Sequence, residues 1–153
     1  MAKAAKAAPV DLTEDDASDG ALYSFSEDIG DAEAPEPLPE RAYPATITDV
    51  EDRQTQDGRP MVRVAFRINE EDYPADYDPG NAPGGKTLSM FMMMDDSAQT
   101  RFRLRRFCEN IGAPMSRNMN PKRDWLNLAC SVTIKHEEYE GVNREKVQKV
   151  ESA

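Results

Sequence analysis

Residues 60–69 read Pro60-Met61-Val62-Arg63-Val64-Ala65-Phe66-Arg67-Ile68-Asn69. Side chains alternate across a strand with period two. Val62, Val64, Phe66 and Ile68 therefore share one face, and Met61, Arg63, Ala65 and Arg67 share the other. A single strand thus pairs an apolar inner face with a basic outer one. The whole chain carries a net charge of −10, so a basic stripe inside a sheet calls for an anionic ligand lying across it.

The neighbours of this strand set the fold class. Upstream, Tyr43 to Arg53 reads as a first strand, with an irregularity near Asp49 where the alternation slips. Pro44 favours a strand start or an edge. Asp57-Gly58 is a hairpin turn signal. Downstream, Pro74, Pro79 and Pro83 with Gly80, Gly84 and Gly85 make residues 70–85 a long loop, functional or disordered. Lys86 to Met94 is a third strand. Ser97 to Ile111 is a helix: Ser97 caps it, and Leu104, Phe107, Cys108 and Ile111 keep the spacing of a buried stripe. Gly112-Ala113-Pro114 stops it. Residues 118–128 form a turn-rich connector holding Trp125, expected as a core anchor. Cys130 to His136 is a fourth strand, Glu138 to Val142 a turn, and Asn143 to Val150 a fifth strand.

The order strand-strand-strand-helix-strand-strand predicts a mainly β fold. It is that of an OB-fold-like five-stranded Greek-key barrel, with one helix between strands 3 and 4. An antiparallel α+β sandwich shares the order.

The 153 residues suffice for one domain and a tail. Residues 1–40 hold two lysines and eleven acids, a net −9, which leaves −1 for residues 41–153. The acidity therefore belongs to the first segment, and the usual objection of an acidic protein to nucleic acid does not reach the body. Residues 1–40 are expected to be a disordered acidic N-terminal arm, too poor in apolar side chains to offset the entropy of ordering. Within them Leu22-Tyr23-Ser24-Phe25 is an apolar island, read as a partner-docking motif, as a segment that folds back onto the body, or as incidental linker. Residues 41–153 are expected to be the nucleic-acid-binding domain.

The body resembles a family of bacteriophage single-stranded-DNA-binding proteins with an OB-type fold. Four stretches carry the likeness: Tyr43 to Glu51, Gln56 to Ile68, Trp125 to Val132, and Glu138 to Val147. The resemblance implies non-catalytic, largely sequence-independent binding of single-stranded DNA in phage DNA replication or recombination. With no signal-peptide or membrane pattern read, the expected location is cytoplasmic, the host cytoplasm for a phage protein; residues 1–40 are expected to occupy the binding groove when DNA is absent, or to recruit phage or host replication and recombination proteins. The acidic tail of such binders is usually C-terminal, whereas here the acidic segment is N-terminal.

Single-strand binders combine cations along the phosphates with aromatic faces for the bases. The candidate cations are Arg53, Arg59, Arg63, Arg67, Lys86, Lys135, Arg144 and Lys146, all on the elements that carry the binding surface in OB-folds. Lys149 lies on the same last hairpin. The candidate stacking residues are Phe91 and Tyr139, then Tyr73 and Tyr77. Phe91 faces outward if Leu88, Met90, Met92 and Met94 face the core, and joins the core if the parity is reversed. Arg101, Arg103, Arg105 and Arg106 wrap the helix and read either as a second cationic patch or as a solvated surface.

Other chemistry is poorly represented. His136 is the only histidine, and a lone strand histidine is more often structural than a general base. Gly84-Gly85-Lys86-Thr87 lacks the first glycine of a phosphate loop. Asp95-Asp96 fits a helix start better than a cation site. Met90 to Met94 reads as adaptable core. Cys108 and Cys130 have no zinc-site spacing and are expected as buried thiols. The expectation is therefore no enzyme, no cofactor and no metal. Nothing in the sequence reads as a membrane span. The competing expectation is a virion-structural or protein-interaction module that binds no nucleic acid.

Overall fold

The computed structural model describes residues 20–153 in full, and residues 8–10 as backbone. Seven strands and two α-helices are described: β1 (Ala8–Val10), β2 (Leu22–Ser24), β3 (Ala42–Gln54), β4 (Pro60–Ile68), β5 (Lys86–Met93), α1 (Ala98–Ile111), α2 (Pro121–Trp125), β6 (Ala129–Tyr139) and β7 (Val142–Glu151). β1 and β2 make a small antiparallel ribbon. The other five strands form one antiparallel sheet in the order β5-β4-β3-β6-β7. The architecture is mainly β, as expected, and α1 lies between β5 and β6 in the chain.

The period-two reading of the opening stretch describes β4 closely. Val62, Val64, Phe66 and Ile68 are buried, while Arg63 and Arg67 are part-exposed on the other face. Ala65 is buried as well, tucked between those two arginines on the outer side. The β3–β4 register shifts between Ile47 and Asp49. This bulge puts Ile47 and Val50 both in the core, and it turns Asp49, Glu51 and Arg53 to one side.

Ser97 caps α1 by accepting a hydrogen bond from the Thr100 amide, and Gly112 closes it at φ 74°. Leu104, Phe107, Cys108 and Ile111 form the buried stripe. α2 interrupts the turn-rich connector of residues 118–128; Asn120 caps it and Pro121 starts it. Trp125, fully buried, meets Phe107 edge to face at 4.8 Å between ring centroids. Cys108 and Cys130 are free and buried, and burial pushes both thiols above their ordinary pKa, Cys130 to about 11. Two 3₁₀ turns, Glu70–Asp72 and Pro79–Asn81, order the long loop. Tyr73 and Tyr77 meet there edge to face, and Tyr77 is buried, so these rings are packing groups rather than exposed platforms.

The arm expected to be disordered through residue 40 is an ordered strap over its last residues. Leu38 is 0% exposed. Its amide donates to Glu145 Oε2 at 2.9 Å, and its carbonyl accepts from His136 Nε2 at 2.6 Å. A carbonyl only accepts, so Nε2 carries a proton here. Tyr43 and Tyr77 donate their hydroxyls to Pro39 O and Glu36 O, and the Glu40 carboxylate accepts from the His136 amide. One apolar anchor with a full set of backbone partners supplies what the composition of residues 1–40 conceals. Residues 20–36 are exposed throughout. The same expectation for residues 1–7 and 11–19 lies outside the described residues. No helix among the described residues is long and apolar enough to cross a membrane.

Candidate nucleic-acid interface

The outer face of β4 and β5 is the candidate surface, and the register defines it. Arg63 stands opposite Phe91, Ala65 opposite Ser89, and Arg67 opposite Thr87. Leu88 is buried and Met90 and Met92 pack against the core, so Phe91 turns outward, with 53% of its surface exposed. From β3, the Arg53 guanidinium lies 5.7 Å from the centre of the Phe91 ring. An exposed aromatic ring flanked by two arginines can stack a base while the cations meet its phosphates.

The same face carries its own carboxylates. Arg63 Nη2 lies 2.6 Å from Asp49 Oδ2, and Arg63 Nε lies 3.2 Å from Glu51 Oε1. Arg53 Nε shares Glu51 Oε1 at 2.6 Å, and Arg63 Nη1 donates to Ser89 Oγ at 3.0 Å. Hydrogen bonds from Arg53 and Arg63 hold the Glu51 carboxyl below its usual pKa. Glu51 therefore keeps its charge further into acid than a free carboxylate does. Arg63 is only 20% exposed at its side chain, pinned rather than free. Sequence reading missed Asp49 and Glu51 as members of this face. Their shared parity with Arg53 beyond the slip was the available signal, but their pairing with Arg63 follows from register.

Arg67 has no carboxylate within 4 Å among the described residues. It donates instead to Gly84 O across the base of the long loop. Gly85, at φ 115°, lets the loop come this close, since a Cβ there would meet Ile68 O at 2.9 Å. Arg59 sits at the β3–β4 turn, 3.2 Å from Asp57.

Lys86 does not share this face. It has the parity of Leu88, and its Nζ lies 3.5 Å from Glu145 Oε1, whose side chain is 6% exposed. This contact joins β5 to β7, the two edge strands of the sheet, beneath the strap. Lys86 is thereby a seam residue.

The β6–β7 hairpin tip forms a second group. The Arg144 guanidinium covers the exposed Tyr139 ring at 4.1 Å, and Arg144 Nη2 lies 3.1 Å from Glu137. Lys135 and Lys146 are directly opposed across the two strands, both exposed, with no carboxylate within 4 Å among the described residues. Like charges directly opposed on neighbouring strands repel, and an anion between them would remove the cost. The structure thus gathers Arg53, Arg63, Arg67 and Phe91 on one face, and Lys135, Tyr139, Arg144 and Lys146 at the β6–β7 hairpin. It sets Lys86 apart. Compared with protein-family models and with curated proteins, the chain matches none.

Proposed function

We propose that the body is an OB-type barrel that binds single-stranded DNA without catalysis and with little sequence preference, serving phage DNA replication or recombination. The observation that carries the reading is Phe91, exposed on the outer face directly opposite Arg63, with Arg53 against its ring. The strand order β5-β4-β3-β6-β7 and the Lys86–Glu145 contact between the edge strands fit a barrel of this type. The opposed Lys135–Lys146 pair and Tyr139 extend the cationic track to the last hairpin. Phosphates would compete with Asp49 and Glu51 for Arg63, so the strand binds by exchanging partners rather than by filling an empty basic groove.

Fluorescence anisotropy with labelled oligo-dT tests this. Phe91→Ala together with Arg67→Gln should weaken binding by more than about tenfold, the scale of one lost stack and one lost phosphate contact. Wild-type affinity in that variant would remove β4–β5 from the site.

One observation favours a second reading, a protein-interaction or virion-structural module. Arg63, at the centre of the face, is already neutralised by two carboxylates. That reading predicts no change in anisotropy with any oligonucleotide.

A further inference from the structure

Two exposed features of the fold have chemistries that match. The first is the arm. Among the described residues, no hydrogen bond ties residues 20–35 to the body. Leu22, Tyr23, Phe25 and Ile29 are all exposed there, interspersed with Glu27, Asp28, Asp31 and Glu33. Large apolar side chains gathered on an exposed segment mark an interaction site.

The second is a groove of about 850 Å³ between α1 and the ends of β5 and β7. Met90 and Met92 line its apolar wall, Phe102 stands exposed at its lip, and Arg103 and Arg106 rim it. The Arg106 guanidinium lies 5.8 Å from the Phe102 ring. Neither Arg103 nor Arg106 has a carboxylate within 4 Å among the described residues. The other two arginines of α1 do: Arg101 pairs with Asp96 and Arg105 with Glu109. The helix surface is thus divided, and only its groove side keeps free cations.

We propose that this groove receives the Leu22–Asp28 segment of a second copy of the chain. Methionines make an adaptable wall for inserted apolar side chains, and Tyr23 and Phe25 are suited to anchor there. Arg103 and Arg106 meet the carboxylates that follow, Glu27 and Asp28. A nucleic acid could use Phe102 and the two arginines, but the methionine wall offers it neither a flat ring nor a charge, and that wall favours an occupant carrying both apolar and acidic side chains. Leu22, Tyr23 and Phe25 stay exposed although β2 pairs with β1, so they remain available to a neighbour. Each copy offers one arm and one groove, so two copies can exchange arms in a closed dimer or chain head to tail.

Sedimentation velocity of the full chain at low salt, with no nucleic acid present, tests this independently of the single-strand reading. The wild-type chain should self-associate with rising concentration, and added salt should weaken the association. An arm variant, Tyr23→Ser with Phe25→Ser, and a groove variant, Arg103→Glu with Arg106→Glu, should each associate at least about tenfold more weakly. Mixed, the two should form a one-to-one pair through the groove and the arm that remain intact. All four positions are exposed, and circular dichroism checks that both variants fold. A wild-type chain that stays monomeric, variants that associate as the wild type does, or a mixture that gives no pair would each overturn the proposal. So would a groove variant whose main loss is binding of a short oligo-dT, which would assign the groove to nucleic acid.

Discussion

Arg63 stands between two carboxylates and an aromatic ring, and its partners set what the β4–β5 face can do. Phe91 is exposed and packs little, so Phe91→Ala should leave the melting temperature nearly unchanged. Its effect belongs in binding, where a lost base stack is worth about 1–3 kcal/mol; an oligo-dT titration beside a thermal melt separates the two. Glu51 acts in the opposite direction. It neutralises Arg53 and Arg63 together, so Glu51→Gln should raise oligo-dT affinity and steepen its salt dependence. An affinity that falls would mean that Glu51 is needed to aim the guanidiniums. The outward turn of Arg63 and Arg67 was legible in the alternation of β4. That of Phe91 was not, because a one-residue slip reverses every side chain; the burial of Leu88 decides it. The pairing of Asp49 and Glu51 with Arg63 was hidden for a different reason, since it depends on cross-strand register set by the bulge at Ile47–Asp49.

The strap and the strand it leads into form the element that closes one end of the sheet. Leu38, fully buried, anchors it. Leu38→Ala should cost about 2–5 kcal/mol, the range for a buried leucine truncated to alanine, read from urea unfolding. Removing residues 1–35 should cost little, and removing residues 1–41 much more. Tyr43 and Tyr77 hold the strap through their hydroxyls, and burial is the main cause that pushes both phenols up to about 12 from an ordinary 10. A raised pKa means that the folded state holds the proton more tightly. The stability from these phenols is therefore complete below pH 10 and lost as pH rises from 10 towards 12. Tyrosinate absorbance should show a late-titrating component that shrinks in Tyr43→Phe and in Tyr77→Phe. The strands and α1 were legible because their periodicities run over many residues. The strap was not: one leucine among prolines and acids gives no period, and its hydrogen bonds reach residues about a hundred positions away. α2 was shorter than any periodic signal, leaving only Asn120-Pro121 to mark it.

Across the whole molecule charge is divided by segment, with −9 on residues 1–40 and −1 on the rest. On the single-strand proposal, an arm of that charge would compete with phosphates wherever it can reach the body. Because Glu36–Glu40 belong to the fold, the fair comparison removes residues 1–35. That chain should bind oligo-dT more tightly than the full chain at low salt, and the gap should close as salt rises. Equal affinities would remove the arm from the competition. The division was legible from the count of charges alone, whereas the groove beside α1 was not, because it needs the helix docked against β5 and β7. The most direct test of the central claim is fluorescence anisotropy of labelled oligo-dT titrated with the full chain over a range of salt concentrations. Saturable binding at low salt that weakens steadily as salt rises is the expected result; no anisotropy change at low salt would contradict single-strand binding.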